Sequence, residues 1–532
     1  MEMPLPIIAT IGRTASPCPS VAEIRYHFAM KPNVPGNPSS ESIQIANPIE
    51  AKGLTESQLE RTVEERIREL ARRLIQAHVE ERGRGEVVSE VRGSDNVVRE
   101  RERVHERGLQ TIFGEVRVSR VGYGAEGAES LHPLDAELNL PEELYSLEVR
   151  RRAAEEAAKQ SFDETVTSLE RLTGTTVGKR QVEELVQHAA VDFDAFYALR
   201  SAKAEEQKST GSILVISADG KGVVMLPRDL REATRKAAQK ASFKLEKRLT
   251  KGEKRDRKRM ATVATVYTVG PHERTPEDVV RSMAPHEEAP PSPRPRPERK
   301  RVWASLERTP AEVIEDAFRE ASSRDPDRKK VWVALVDGNK PQLAILKALA
   351  RKQKVRLTIV LDVMHVAEYL WAASLAFHPE ASKQREEWVS ERLLGVLSGR
   401  ASLVAAGMRR SATRRGLEDS REPVDRCANY LLEYKPYLRY DRYLAKGLPI
   451  ATGVVEGACR HLICDRMDGG ARWSLCGAEA VLRLRSLRSS GDFDEYWTYH
   501  EAQEYQRNHL ARYVGCKVPP ICGRKPRLRR IK

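Results

Sequence analysis

The sequence lacks long apolar runs and is poor in cysteine. None of its 532 residues lies in a stretch that approaches about 18 consecutive apolar residues, and residues 1–12 lack the basic start and apolar core of a signal peptide. The seven cysteines form no Cys-x-x-Cys pair, which argues against a disulfide framework and against a zinc ribbon. We therefore expect a protein of a reducing bacterial cytoplasm, with no membrane partner and no zinc.

Acidic residues are too few to balance the basic ones. The chain carries 91 Lys and Arg against 77 Asp and Glu, a formal net charge of +14 and a pI of about 9.4. Such an excess is typical of proteins that bind a polyanion such as nucleic acid. It is densest at residues 228–259, where fourteen basic residues accompany five acidic ones. We expect this basic insert to contact DNA phosphates, through Lys244, Lys247, Arg248 and Lys251.

The N-terminal part reads as a tail followed by a mainly helical region. Residues 1–50 are rich in Pro, Ser and Asn, and a capping-box pattern at Thr55 and Gln58 predicts the start of a long helix. Alternating residues at 96–123 predict strands with a turn at Gly114. Helices are predicted over 141–160, 161–174 and 175–189.

The last two predicted helices of this region have the order of a DNA-reading helix-turn-helix. Lys179, Arg180 and Gln181 begin the second of them, and the N-terminal residues of the second helix contact bases in such motifs. An ordinary antiparallel helix pair has the same pattern. Both interpretations stay open at this point.

After residue 203 the pattern changes to alternating strands and helices. Two inserts interrupt it, the basic one and a Pro-rich segment at 284–300, and residues 365–447 read almost entirely as helix. Three strands, a helix, a strand with a helix and a further strand follow the order of the ribonuclease H-like fold, in which the first and fourth strands are neighbours. The predicted strands are "SILVISADG", "GVVML", "MATVATVYTV", "RVWASL", "VWVALVDG" and "VRLTIVLDV".

Two of these predicted strands end on an aspartate. Asp219 precedes Gly220, and Asp337 precedes Gly338, so the fold order predicts that the two carboxylates lie close together where their strands leave the sheet. Neighbouring carboxylates repel unless a cation neutralises them, and two Mg²⁺ ions held by carboxylates would suit phosphoryl transfer. A third carboxylate is expected on a later helix, at Glu456. The alternatives are that the aspartates cap turns and that Glu456 pairs with Arg460.

Four segments carry a resemblance to a known family. "SADGKG", "VDGNK", "LDVMHVAEYLW" and "GVVEGACRHLICDRMDGGARWS" resemble the ISKra insertion-sequence transposases, which belong with the Mutator-like DDE transposases. The resemblance implies a catalytic, metal-binding triad of Asp219, Asp337 and Glu456. It implies an auxiliary motif at Asp362 and His365, with Asp362 on the fifth strand and farther from the metals. His365 fits a structural role equally well.

One feature departs from the family's pattern. Relatives commonly carry cysteine pairs that form a zinc ribbon near "TIFGEVRVSRVGY", whereas this chain has no cysteine between Cys18 and Cys427. Near Glu456, Cys459, Cys464 and Cys476 have no zinc spacing, so we expect them to pack in the apolar core.

The sequence thus predicts an α/β protein whose ribonuclease H-like catalytic domain has an all-helical insertion and follows a mainly helical DNA-binding region. As a DDE transposase it would use two Mg²⁺ or Mn²⁺ ions to cut and rejoin double-stranded DNA, at transposon ends and target, as a homo-oligomer. The alternatives are a transposase-derived DNA-binding protein that no longer cuts and a nuclease of the same fold without strand transfer. The predicted boundaries are 1–50 for the tail, 51–203 for the DNA-binding region, 204–365 and 450–500 for the catalytic core, 366–449 for the helical insertion and 501–532 for a C-terminal helix and basic tail.

Overall fold

The computed structural model describes residues 53–202, 211–240, 253, 257–283, 294–418 and 420–522. The chain divides into two compact units, the first formed by residues 1–152, 166–178 and 501–532 and the second by residues 153–165 and 179–500. Several predicted features lie outside the described residues: the tail at 1–50, most of the Pro-rich segment, the end of the chain at 523–532, and the basic-insert residues Lys244, Lys247, Arg248 and Lys251.

The first unit is built on a β-hairpin covered by a long helix. Helix α1 (Glu56–Glu81) begins at the predicted capping box, where the backbone N–H of Thr55 donates to Gln58 Oε1 at 2.9 Å. Strands β1 (Arg101–Thr111) and β2 (Gly114–Ala125) pair in antiparallel register across a two-residue loop, as predicted for this segment. The predicted strands therefore form here around an apolar core, to which Val79, Leu109, Val116, Val118, Leu134 and Leu140 contribute.

Two elements that the sequence pattern did not predict complete the hairpin region. Strand β3 (Ala128–Leu131) pairs with β2, and helix α2 (Pro133–Glu137) follows it. The next predicted helix is shorter than expected, because α3 (Leu147–Lys159) starts six residues late. Residues before it run along β1, where Gln110 exchanges backbone hydrogen bonds with Leu144 and Ser146. Helices α4 (Phe162–Thr173) and α5 (Lys179–Ala189) then match their predictions.

A five-stranded mixed sheet forms the centre of the second unit. After α6 (Phe193–Ala202) come β4 (Ile213–Val224), α7 (Glu232–Lys240), β5 (Lys258–Val269), α8 (Pro276–Met283), β6 (Glu298–Ser305), α9 (Pro310–Arg324), β7 (Val331–Val336), α10 (Lys340–Lys352) and β8 (Leu357–Leu361). The strand order is β6-β5-β4-β7-β8. Strand β5 runs antiparallel to β4 and β6, whereas β4, β7 and β8 are parallel. The central strands β4 and β7 are buried on both faces, as their continuous apolar sequences predict.

Two predictions for the second unit were wrong, one about a strand and one about the Pro-rich segment. "SILVISADG" and "GVVML" form one strand, so Asp219 lies inside β4 and not at its end. The antiparallel ladder with β5 continues to the pair Val224–Lys258, and this long-range pairing overrides the local Asp-Gly turn signal. The Pro-rich segment is also shorter than predicted, since β6 already begins at Glu298.

Helices account for the chain after β8, as predicted for residues 365–447. These are α11 (Val363–Ser374), α12 (Lys383–Leu397), α13 (Ala401–Arg414), α14 (Glu422–Glu433), α15 (Tyr440–Ala445), α16 (Gly453–Ala458), α17 (Asp465–Met467), α18 (Leu475–Ser490) and α19 (Phe493–Asn508), with a π-helical turn at Cys459–Cys464. Short 3₁₀ turns occupy Pro227–Asp229, Lys435–Tyr437, Leu510–Arg512 and Val514–Cys516. Within the described ranges, no helix has the length and apolar character needed to cross a membrane.

Candidate active site

Three aspartates occupy corresponding positions on three adjacent parallel strands. The last paired residues of β4 and β7 are Ser217 and Leu335, and Asp219 and Asp337 each follow two residues later. The last pair of β7 and β8 is Val336 with Leu361, so Asp337 and Asp362 are the next residues of these two strands. Residues in register on parallel strands share a face and lie about 4.8 Å apart. The register therefore aligns three aspartate positions, two directly after the carboxyl ends of β7 and β8 and one beside them on β4.

Asp219 lies beyond the last residue pair of β4 with β7, but it is still paired with Val263 of β5. Its Oδ1 accepts the backbone N–H of Gly220 at 2.6 Å, and its Oδ2 accepts the thiol of Cys459 at 3.2 Å. Burial raises the pKa of the Cys459 thiol, and the neighbouring charge of Asp219 raises it further. Cys459 is buried, as expected, but Cys464 is only partly buried and Cys476 is exposed. Asp219 thus contacts the segment one helical turn after Glu456.

Asp337 does form the turn contact that the structural alternative predicts. Its Oδ1 accepts the backbone N–H of Asn339 at 2.9 Å, Gly338 takes the left-handed φ of +98°, and Asn339 caps α10. Among the described residues, however, Oδ2 of Asp337 has no hydrogen-bond partner. The turn contact therefore uses one carboxylate oxygen and leaves the other available.

Asp362 and Glu456 share a single hydroxyl group. Asp362 is fully buried and caps α11, with its Oδ1 accepting the backbone N–H of Met364 at 3.0 Å. The hydroxyl of Thr452 lies within hydrogen-bond distance of Asp362 Oδ2 and is 2.8 Å from Glu456 Oε1. A hydroxyl has one hydrogen and can donate it to only one of the two carboxylates. One of the two carboxylates therefore lacks this donor; Glu456 is exposed to solvent, and a proton or a cation would compensate the buried Asp362.

The pKa of Asp362 is consistent with this shortage of hydrogen-bond donors. Burial raises the pKa of Asp362, and the charge of Glu456 raises it further. The hydrogen bonds from Thr452 and Met364 oppose these effects without cancelling them. A carboxyl whose pKa is raised by burial and by a neighbouring carboxylate is an arrangement that a bound cation would relieve.

His365 joins the same group one turn into α11. Burial of its ring lowers the pKa, but the hydrogen bond to Glu368 and the charges of Asp362, Glu368 and Asp337 outweigh burial, so the pKa is raised. Ligand atoms of Asp362, His365 and Glu456 all lie within 4.8 Å of one another. Within the described part of the chain, Asp219, Asp337 and Glu456 do not form such a compact group. Asp362, expected to lie farther from a metal, is the aspartate that the structure places with Glu456.

Glu456 lies on a short helix whose geometry is irregular. Helix α16 passes directly into the π-helical turn Cys459–Cys464, and π-helical turns are frequent at functional sites. The alternative ion pair with Arg460 is not formed among the described residues, because Arg460 approaches Asp465 at 3.7 Å and Glu456 bonds to Thr452. Thr452 was missed by the sequence analysis, although its position four residues before Glu456 places both on one side of the helix.

Tyrosines from the helical insertion hold the ends of β7 and β8. Tyr430 Oη donates to the carbonyl of Asp337 at 3.1 Å, and Tyr434 Oη donates to that of Gly338. Tyr440 Oη donates to the carbonyl of Leu361 at 2.7 Å. These bonds fix the backbone on which Asp337 and Asp362 stand, a role for the insertion that no sequence pattern indicated.

The donor set fits a hard divalent cation. Carboxylate oxygens are the ligands that Mg²⁺ and Mn²⁺ prefer, and the imidazole of His365 suits Mn²⁺ better than Mg²⁺. Among the described residues, none of Asp219, Asp337, Asp362 and Glu456 forms an ion pair with Lys or Arg. The unmatched negative charge, with one hydroxyl hydrogen between two carboxylates, is the observation that supports a cation at this place.

A basic groove begins beside Asp337. It has a volume of about 380 Å³ and lies between α10 and the end of α14. A second cavity shares Lys347 and Arg351 with it and extends to β8. Apolar residues, among them Leu343, Val355, Leu357 and Ile359, form part of the lining of both cavities. The other lining residues are five cations, one acid and two tyrosines: Lys340, Lys347, Arg351, Lys354, Arg356, Glu433, Tyr434 and Tyr437.

The predicted DNA-reading residues stand on the surface. Lys179, Arg180 and Gln181 are exposed in the first turn of α5, and the opposite face of this helix is buried through Val182 and Leu185. Lys179 pairs with Asp163 at 2.7 Å, and Arg180 pairs with Glu184 at 3.1 Å. Such exposed pairs are weak, so DNA phosphates could replace them.

Comparison with known proteins adds one match. The sequence model of an uncharacterised protein family, UPF0236, matches residues 49–245, which include Asp219 and end before Asp337, Asp362 and Glu456. No curated protein matches the chain.

Proposed function

We propose that the protein is a DDE transposase, which cuts and rejoins DNA at the ends of its own insertion sequence. The observation that carries the proposal is the corresponding positions of three aspartates in the register of β4, β7 and β8, together with Glu456 beside Asp362. These carboxylates have no basic partner among the described residues, so no Lys or Arg side chain there neutralises them.

The strand order supports a ribonuclease H-like domain as part of the same proposal. Strands β4 and β7 are neighbours at the centre of the sheet, β5 is antiparallel, and β8 follows β7. This is the neighbour relation expected of the first and fourth strands of that fold. Helices α11–α15 fall between β8 and Glu456, where the resemblance implies a helical insertion.

Each residue has a defined task in this proposal. Mg²⁺ or Mn²⁺, when bound, would supply the positive charge that activates water and then a 3′-hydroxyl group toward a phosphodiester. Asp219, Asp337 and Glu456 would hold it, and Asp362 joins them as a ligand because it shares Thr452 with Glu456. Thr452 orients both carboxylates, and Tyr430 and Tyr440 fix the strand ends that carry the aspartates.

The basic groove supports nucleic acid as the substrate. Five cations against Glu433 give a surface suited to phosphate groups, and Tyr434 joins its wall to the Asp337–Gly338 turn. A DNA strand along the groove would reach the carboxylates at its end.

The test is a cleavage and joining assay with purified protein in Mn²⁺ or Mg²⁺. The substrate is a duplex that carries the DNA flanking the gene, and the products are free 3′-hydroxyl ends and molecules joined to a target plasmid. Asp327→Asn is the matched control, since this exposed aspartate pairs only with Lys329 in the described structure. We expect the parent and the control to cut and join.

The two alternatives give different results in the same assay. Binding without cleavage in either metal would indicate the transposase-derived DNA-binding protein. Cleavage without joined products would indicate a nuclease of the same fold. Either result would overturn the proposal.

A further inference from the structure

Helix α1 has two apolar faces, and only one of them packs against the part of its unit that the structure describes. Its C-terminal part docks on the hairpin through Ile75 and Val79, which contact the apolar core, and through Gln76, which exchanges two hydrogen bonds with the backbone of Arg117. Positions advance by about 100° per residue along an α-helix. The apolar stripe formed by Leu59, Val63, Ile67, Leu70 and Leu74 therefore lies on the opposite side of α1.

The apolar stripe is exposed. Leu59, Ile67 and Leu74 are 37, 50 and 43% exposed, and Val63 and Leu70 are partly buried. The stripe runs from Leu59 to Leu74 within the 26-residue helix, so it extends over about 22 Å at 1.5 Å per residue. An exposed apolar surface of this length on a charged helix is typical of an interaction site.

The spacing of the apolar stripe fits a second copy of itself. Turning the stripe end to end about a point between residues 66 and 67 places Leu59 opposite Leu74 and Val63 opposite Leu70, with Ile67 near its own equivalent. A two-fold axis requires this relation, because residue i must meet j while j meets i. The stripe is thus close to self-complementary in the antiparallel direction.

The charged residues of α1 also favour an antiparallel partner, because the two halves of the helix have opposite net charge. Residues 56–65 hold four Glu and one Arg, a net charge of −3, and residues 66–75 hold four Arg and one Glu, a net charge of +3. Two antiparallel copies would place each acidic half beside a basic half, whereas two parallel copies would align like charges. This charge order also suits the dipole of a single helix. The charge order therefore indicates a second α1 helix as the partner only when it is taken together with the self-complementary apolar stripe.

We propose that two copies of the protein associate through α1, with their α1 helices antiparallel and the apolar stripes in contact. The inference rests on the first unit alone and does not depend on the proposed function. The predicted homo-oligomer gains a defined contact, centred on Ile67.

The first test measures the mass of the full chain in solution without DNA, by sedimentation equilibrium over a range of concentrations. We expect a dimer for the parent and a shift toward monomer for Ile67→Glu. Val88→Glu is the matched control, since Val88 is an exposed apolar residue of the same unit outside α1. A monomeric parent, or a dimer that survives Ile67→Glu, would overturn the proposal.

The second test determines the direction of the two helices. Leu59→Cys and Leu74→Cys are made as separate proteins, mixed and oxidised, with the parent as the control for its natural cysteines. The antiparallel contact predicts disulfides between the two different variants and none within Leu59→Cys alone. Disulfides within Leu59→Cys alone would indicate parallel helices and contradict the proposal.

Discussion

Asp325 lies in the loop before strand β7 and Asp337 directly follows the strand, and the two carboxylates have different partners. Asp325 is buried and accepts three hydrogen bonds, from the backbone N–H groups of Lys329 and Lys330 and from Trp332 Nε1. Asp337, at the other end of the strand, accepts one, from the backbone N–H of Asn339. At one end of the strand the protein supplies the partners of the carboxylate, and at the other it leaves an oxygen without one.

The difference separates a structural carboxylate from a functional one. A buried group that stabilises a fold has its hydrogen bonds satisfied within the protein. Asp362 and Glu456 share one donor hydrogen, and Asp337 keeps one oxygen without a partner in the described structure, so these carboxylates have fewer donors than acceptors. The predictions below test this contrast by making similar changes at both kinds of position.

Asp337→Asn should have the largest effect, and it should fall on activity. Removal of a residue that supports a metal ligand costs about 10- to 100-fold, so loss of a ligand should cost at least about 100-fold in cleavage and joining. Thermal unfolding of the metal-free protein should be unchanged or slightly improved, because Asn can still accept from Asn339 and repulsion is relieved. Full activity of the variant would place Asp337 with the structural aspartates.

The same substitution at Asp325 should affect stability. Asn places an amide NH₂ where the carboxylate accepts N–H groups, so at least one buried donor loses its partner, and we expect a loss of about 2–3 kcal/mol in the free energy of unfolding. Cleavage per folded molecule should stay near the parent value. Chemical denaturation and the joining assay check the two halves of this prediction, and a stable but inactive Asp325→Asn would break the contrast.

Thr452→Val tests the shared hydroxyl. The change keeps the shape of the side chain and removes its only hydrogen-bonding group, so Asp362 and Glu456 lose their common donor. We expect a loss of about 10- to 100-fold in activity, with a weaker apparent affinity for Mn²⁺. Unchanged activity over a Mn²⁺ titration would show that Thr452 does not orient the pair.

Tyr440→Phe should have the smallest effect. Its hydroxyl donates to the carbonyl of Leu361 from a fully buried position, and the change leaves that carbonyl without this partner. We expect a loss of about 1–2 kcal/mol in the free energy of unfolding. A wild-type denaturation midpoint would indicate that the insertion does not hold β8 through this bond.

Local signals predicted the helices and the identity of the acidic residues better than they predicted geometry. The capping box at Thr55, the helical character of residues 365–447 and the buried strand β7 were predicted from spacing and composition. The Asp-Gly pairs at Asp219 and Asp337 look alike in sequence, yet one lies inside a strand and the other in a turn. The difference arises from pairing with β5, which is far away along the chain.

The sequence also could not predict which carboxylates lie close together. Thr452 lies four residues before Glu456, but its contact with Asp362 spans ninety residues and depends on how α16 approaches the end of β8. The chemical type of each residue could be read from the sequence, whereas the position of Asp362 beside Glu456 is seen only in the fold.

Calorimetric titration of the metal-free protein with Mn²⁺ tests the central claim most directly, that the carboxylates at this end of the sheet are kept for a cation. We predict saturable binding to the parent and to Asp327→Asn, and at least about tenfold weaker binding to Asp337→Asn and Asp362→Asn. If the parent binds no Mn²⁺, or if both variants bind it as well as the parent does, the claim is contradicted and these aspartates are structural caps.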